Sequence, residues 1–179
     1  MSIRAPFNLY KWLDENRELL KPPVGNKNLY READDYIVMV VAGPNARKDY
    51  HYNETEELFF QLEGNIQVHV QDNGEKRTMR LGPGDMYLHP AGVPHSPVRE
   101  EGSIGLVIER KREDLEGKDG LLWYCDQCNN KLYEVYFPLH DIEKDFLKHF
   151  KHFYGSEKLR TCDECGTVMP VDQRFIGEE

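Results

Sequence analysis

The chain has 179 residues, a formal net charge of −9 and 39% hydrophobic residues, enough for one compact domain with a real core. The acidic balance excludes a broad nucleic-acid or anionic-membrane surface, because such surfaces need an excess of Lys and Arg. No apolar run approaches membrane-spanning length, and Met1-Ser2-Ile3-Arg4-Ala5-Pro6-Phe7 lacks the apolar stretch of an export signal, so a soluble, cytoplasmic protein is expected.

Asn8 stands where a helix N-cap belongs, and Leu9, Trp12, Leu13, Leu19 and Leu20 recur at roughly helical spacing. This predicts a helix over Leu9 to Leu20, stopped by Lys21-Pro22-Pro23-Val24-Gly25. From Tyr36 to Arg110 the texture changes to short β-rich runs. They are Tyr36–Ala42, Glu57–Glu63, Ile66–Gln71, Arg77–Leu81, Met86–His89 and Ile104–Glu109. Turn signals separate them, and Asn73-Gly74 is the strongest, since a type I′ hairpin needs positive φ twice. Closely spaced strands without crossover helices predict an antiparallel sandwich or small barrel. Beyond a charged link at Lys111–Asp119, Leu121–Tyr124 and Tyr133–Phe137 read as further strands. Asp141 is placed to cap a second helix to about Tyr154, with Ile142, Phe146, Phe150 and Phe153 on one stripe. The tail from Phe175 is expected to fray.

The chemistry-bearing residues follow from spacing. His51 and Glu57 are an even number of positions apart, which on an uninterrupted strand puts them on one face, and His95 comes from a second strand pair. Two imidazoles and one carboxylate make a facial triad, which leaves metal positions open for substrate and O₂, as non-heme iron(II) oxygenases require. Arg47 and Asp49 share the alternating face of His51, Arg99 follows His95 at an even offset, and Glu109 ends the apolar strand Ile104–Ile108. Two arginines beside a metal suit an anionic ligand, because guanidinium grips a carboxylate bidentately. His69 and His89 are read as surface or satisfied core histidines.

The segment Gly43, Asp49, His51, Glu57, Gly64 and then Gly84, Pro90, Gly92, His95, Arg99 resembles the two motifs of the cupin superfamily. It departs in having Asp49 at the usual first histidine, one extra residue before Glu57, and Arg99 for the terminal asparagine. Glu57 is preferred to the neighbouring Glu54 and Glu56 because its distance to Gly64 fits the motif. More specific stretches are Leu20-Lys21-Pro22-Pro23-Val24-Gly25-Asn26, Gly43 to His51, Pro94-His95-Ser96-Pro97-Val98-Arg99, Ile108-Glu109-Arg110 and Trp123-Tyr124-Cys125. With these, the chain resembles the 3-hydroxyanthranilate 3,4-dioxygenases over almost its whole length.

That resemblance implies an all-β cupin jelly-roll barrel with a few peripheral helices, in which His51, Glu57 and His95 hold Fe(II). It implies that Arg47 and Arg99 bind the substrate carboxylate, that Glu109 contacts the amino or hydroxyl edge of the ring, and that Asn26 and Asp49 line the site. The implied reaction opens 3-hydroxyanthranilate with O₂ in an extradiol manner, and the implied assembly is a homodimer. The competing expectations are a cupin dioxygenase for another acid and a cupin that binds a ligand or metal without turnover.

The cysteines form two Cys-x-x-Cys pairs, Cys125/Cys128 and Cys162/Cys165, with none left over. In a chain without an export signal they read as a tetrahedral four-cysteine metal site. It resembles the rubredoxin-like site of bacterial and fungal members of the family, and all-thiolate ligation suits iron or zinc equally. A structural staple is favoured over electron transfer, since a dioxygenase returns its iron to the ferrous state each cycle. A zinc ribbon for nucleic acid is disfavoured because the flanking segments are not basic. The expected organisation is a cupin domain over 1–120, including the N-terminal helix, and a C-terminal extension over 121–179 carrying the four-cysteine site against the barrel.

Overall fold

The computed structural model describes residues 3, 5–21, 25–111, 118–139 and 142–176. The expected helix stop at Pro22-Pro23-Val24, the cap at Asp141, the side chain of Ile142, most of the 111–119 link and the last three residues lie outside them.

Eleven strands are found among the described residues. The first six are β1 (Asn26–Asn28), β2 (Tyr36–Ala42), β3 (Asp49–Tyr52), β4 (Glu57–Glu63), β5 (Ile66–Asp72) and β6 (Glu75–Leu81). The others are β7 (Met86–His89), β8 (His95–Arg99), β9 (Ile104–Arg110), β10 (Asp119–Tyr124) and β11 (Lys131–Phe137). They form two antiparallel sheets in the orders β1-β2-β9-β4-β7 and β11-β10-β3-β8-β5-β6, the double-sheet arrangement of a jelly-roll barrel. The alternating runs expected in the sequence coincide with strands. Asn73 and Gly74 join β5 to β6 with φ of 52° and 86°, the paired positive φ that a type I′ turn demands.

The core is built by alternation. Phe59 and Val107 of one sheet pack with Ile66, Val68, Val70 and Leu81 from β5 and β6 of the other, and such residues contribute about 1.5–3 kcal/mol each on burial. Helix α1 (Leu9–Asn16) starts where Asn8 accepts a hydrogen bond from the Lys11 amide at 3.0 Å. The chain tightens to a 3-10 turn over Arg17–Leu20. Leu13 and Leu20 then cover Val40, Ala42, Leu62 and Ile104 on the outer side of the first sheet.

β10 pairs with β3 and with β11, so two strands beyond Arg110 complete the second sheet. The expected division after residue 120 falls inside β10. Helix α2 (Ile142–Tyr154) and the short α3 (Glu157–Arg160) pack on these strands through Trp123, whose ring stacks on Phe153 at 4.3 Å. Arg160 is buried there and donates to the carbonyls of Tyr154 and Met169 at 3.1 and 2.7 Å. Both bonds satisfy a charge that would otherwise be costly to enclose.

Candidate metal centre and ligand cavity

The three triad residues meet between the sheets. His51 on β3 and His95 on β8 are direct partners across the strand pair, and Glu57 comes from β4 of the opposite sheet. The even spacing of His51 and Glu57 is therefore not what unites them. The strand breaks at Asn53–Glu56, and the chain crosses from one sheet to the other before Glu57. All three side chains are buried. Glu57 Oε2 lies 3.1 Å from His95 Nε2, and Glu57 Oε1 lies 3.6 Å from His51 Nδ1. Adjacent ligands at right angles around an ion with bonds of about 2.1 Å stand roughly 3 Å apart. The donor set therefore fits a single ion bound by two nitrogens and one oxygen. Asn53 donates to Glu57 Oε1 and fixes the carboxylate.

A cavity of about 170 Å³ opens beside this triad. Asn26, Arg47, Arg99 and Glu109 line it, together with an apolar wall that includes Met39, Phe59, Val107 and Phe146. Glu109 faces Glu57 across the β4–β9 pair. Asp49 is not among the lining residues. It is buried behind them and accepts two hydrogen bonds from the Arg47 guanidinium, that from Nε at 3.0 Å. Burial disfavours the Arg47 charge, but the charge and hydrogen bonds of Asp49 outweigh it and raise its pKa. Arg47 itself precedes β3 rather than lying on it.

Arg99 differs from Arg47. It is 3% exposed, and neither its Nε nor its Nη1 has a hydrogen-bond partner among the described residues. Burial pushes its pKa down to about 10. Gly105 leaves room for Gln61, since a Cβ there would stand 2.6 Å from Gln61 Oε1, whereas Arg99 Nη1 at 3.4 Å would be in ordinary contact. An enclosed cation with unused donors is expensive unless something anionic meets it.

His69 and His89 are satisfied as expected. His69 Nδ1 is 2.9 Å from the Thr78 hydroxyl. His89 is fully buried, with Nε2 at 2.8 Å from the Val93 carbonyl and Nδ1 at 3.1 Å from the Tyr87 hydroxyl. Burial, reinforced by His95, pushes its pKa down to about 4. Several contributors to the site were not singled out in the sequence. Asn53 fixes Glu57. Phe146 lies over His51 and carried a signal only as part of a helical stripe. Asn45 bridges to Arg99 through paired backbone hydrogen bonds of 2.9 Å.

The four cysteines form a second donor group. Cys125 Sγ is 3.6 Å from Cys165 Sγ, and Cys128 Sγ is 3.5 Å from Cys162 Sγ. A regular tetrahedron of thiolates at about 2.3 Å from an ion has edges of roughly 3.8 Å. Each knuckle closes the same way. Asn129 and Gly166, at φ of 60° and 73°, donate amide hydrogens to the carbonyls of Cys125 and Cys162, both at 2.9 Å. Hydrogen bonds from Thr167 hold the Cys165 thiol down to about 6. The first knuckle is tied to the barrel by a reciprocal amide pair between Gln71 and Asn129, at 2.8 and 3.0 Å, and by the Lys48–Asp126 ion pair.

Two facing antiparallel sheets, with two imidazoles and a carboxylate converging between them, define a cupin barrel with a donor set suited to a metal ion. The chain belongs to the 3-hydroxyanthranilic acid dioxygenase family, whose family model matches residues 1–154. It is 55% identical over 174 residues to the 3-hydroxyanthranilate 3,4-dioxygenase of Xanthomonas campestris pv. campestris strain 8004, covering 97% of each chain. It is 42% identical over 173 residues to that of Bacillus thuringiensis strain Al Hakam, covering 96% of this chain and 94% of the relative. Among solved structures it is similar to a cupin-2 domain protein from Shewanella frigidimarina NCIMB 400. That similarity has a TM-score of 0.47 and 24% identity, over 55% of this chain and 92% of the other.

Proposed function

We propose that this chain is an iron(II) dioxygenase that opens 3-hydroxyanthranilate with O₂ between C3 and C4, giving 2-amino-3-carboxymuconate semialdehyde. That product closes spontaneously to quinolinate, the precursor of the NAD pyridine ring. The observation that carries the reading is Arg99, a buried guanidinium with unused donors, lining the same cavity as the triad. Family membership and the names of close relatives supply the substrate.

The residues divide the work by position. His51, Glu57 and His95 hold iron(II), which when bound supplies the redox-active centre that lets triplet O₂ react with a closed-shell ring. Arg99 and Arg47 bind the ring carboxylate, with Asp49 holding the Arg47 fork in place. Phe146, Phe59, Met39 and Val107 pack the ring and exclude water. Glu109 stands beside Glu57 at the cavity edge, where it accepts the proton of the ring hydroxyl and returns it later. Asn26 completes the polar rim.

The four-cysteine site holds iron or zinc as a staple on the C-terminal segment. The protein works in the cytoplasm as a homodimer, without nucleic-acid or membrane partners. Among the described residues no helix is long and apolar enough to cross a membrane.

The test is O₂ consumption by iron(II)-loaded protein supplied with 3-hydroxyanthranilate, with product absorbance followed in air and anaerobically. Stoichiometric uptake with product formation, abolished in His51→Ala, is the expected result. No uptake by protein that holds iron would overturn the substrate assignment.

A further inference from the structure

His51 Nδ1 faces Glu57, and its other ring nitrogen, Nε2, lies 2.6 Å from Asp119 Oδ1. Asp119 is 1% exposed and opens β10. The contact follows from register. Leu121 is the direct partner of His51 across the β10–β3 pair. Asp119 stands two residues earlier on β10, so its side chain leaves on the same face and reaches the imidazole diagonally.

We propose that Asp119 is a positioning residue, which fixes the His51 ring with Nδ1 aimed at the metal; the inference rests on the triad being the metal centre. A neutral imidazole carries one donor and one acceptor. When Nε2–H is donated to the Asp119 carboxylate, the lone pair is left on Nδ1, which is the nitrogen beside Glu57. The carboxylate thus selects the tautomer, locks the ring plane and makes the ligand more electron-rich.

His95 provides the contrast within the same site. Its Nε2 faces Glu57, while its Nδ1 is buried with no hydrogen-bond partner among the described residues. The two histidines are therefore unequal ligands. His51 is oriented by a charge and His95 by packing, with the His89 ring 4.3 Å away. Nothing in the sequence around Asp119 marks it, because its partner lies 68 positions earlier.

Cobalt(II) titration of the metal-stripped full chain tests this without turnover. The four-cysteine site reports through thiolate-to-cobalt charge-transfer bands, and the triad through weaker bands of nitrogen and oxygen ligation. Asp119→Ala is expected to weaken cobalt binding at the triad about 10- to 100-fold, with the thiolate bands unchanged as an internal measure of folding. Asp119→Asn, which still accepts the hydrogen bond, is expected to recover part of the loss and to shift the triad bands. Triad affinity in Asp119→Ala within twofold of wild type would overturn the proposal, as would an asparagine variant no better than the alanine one. A wild-type chain showing thiolate bands alone would instead refute the triad as a metal centre and take this inference with it.

Discussion

The ring of Phe146, on helix α2, sits 5.4 Å from the ring of His51, on β3. A helix from the C-terminal third of the chain thus forms a wall of the cavity, although His51, Glu57 and His95 all lie before residue 96. With Phe146 packing the substrate ring, Phe146→Ala removes a contact of about 0.5–1.5 kcal/mol, or roughly two- to thirteenfold. KM is expected to rise by that factor with iron content unchanged. An unchanged KM would place the substrate away from α2.

Arg99 couples stability to binding. Replacing an enclosed, poorly partnered charge with an apolar side chain of similar volume is neutral or stabilising by about 1–4 kcal/mol. Arg99→Met is therefore expected to raise the urea midpoint while weakening binding of a carboxylate ligand about 100-fold. Arg99→Lys is expected to bind poorly too, because a point charge cannot reproduce the fork. A destabilised Arg99→Met with wild-type affinity would refute the assignment of this guanidinium to a ligand.

Serine substitution at Cys162 is expected to separate folding from chemistry. On the staple reading, the cysteine cluster ties down the segment carrying Trp123, Phe153 and Phe146, so its loss should lower Tm by about 5–15 °C. The initial rate of the folded, iron-loaded variant well below that Tm should stay within about twofold of wild type. A large rate loss in a fully folded, iron-replete variant would point to an electronic role for the cluster.

Arg17 grips Glu63 with two hydrogen bonds of 2.9 Å, pinning the end of the N-terminal helical segment to β4. The guanidinium holds the Glu63 carboxyl below its ordinary range. A carboxylate with a lowered folded pKa contributes stability that is fully present above its unfolded value, near 4.5, and is lost as pH falls through the folded one. The difference in urea midpoint between wild type and Arg17→Gln should be constant from about pH 8 to pH 5 and should shrink below about pH 4. A difference that persists in acid would mean that Arg17 acts by packing rather than by charge.

The sequence is most legible where apolar residues predominate in a strand. Tyr36–Ala42, Glu57–Glu63 and Met86–His89 match the observed strands end to end. β3 and β8 carry no such signal. Asp49-Tyr50-His51 is buried on both faces, and β8 carries two polar ligand-facing residues and Pro97. Function has replaced alternation in β3 and β8, the strands that carry the two triad histidines. His51, Glu57 and His95 are readable because their spacing is rigid, yet the face argument for His51 and Glu57 fails. It assumes one strand where the chain changes sheets. Phe146, Asn53 and Asp119 act through partners set by tertiary register or by a local turn, which no periodicity encodes.

The burial of Arg99 also sets how the protein meets an anion. With a net charge of −9, the outer field repels a carboxylate, and dissolved salt weakens that field beyond about 8 Å at physiological ionic strength. The attracting charge is 3% exposed, deep enough that mobile ions barely reach it. Added salt therefore removes repulsion and leaves attraction in place. Productive encounter with an anionic substrate should quicken as ionic strength rises, the reverse of proteins that draw their ligands in with surface lysines.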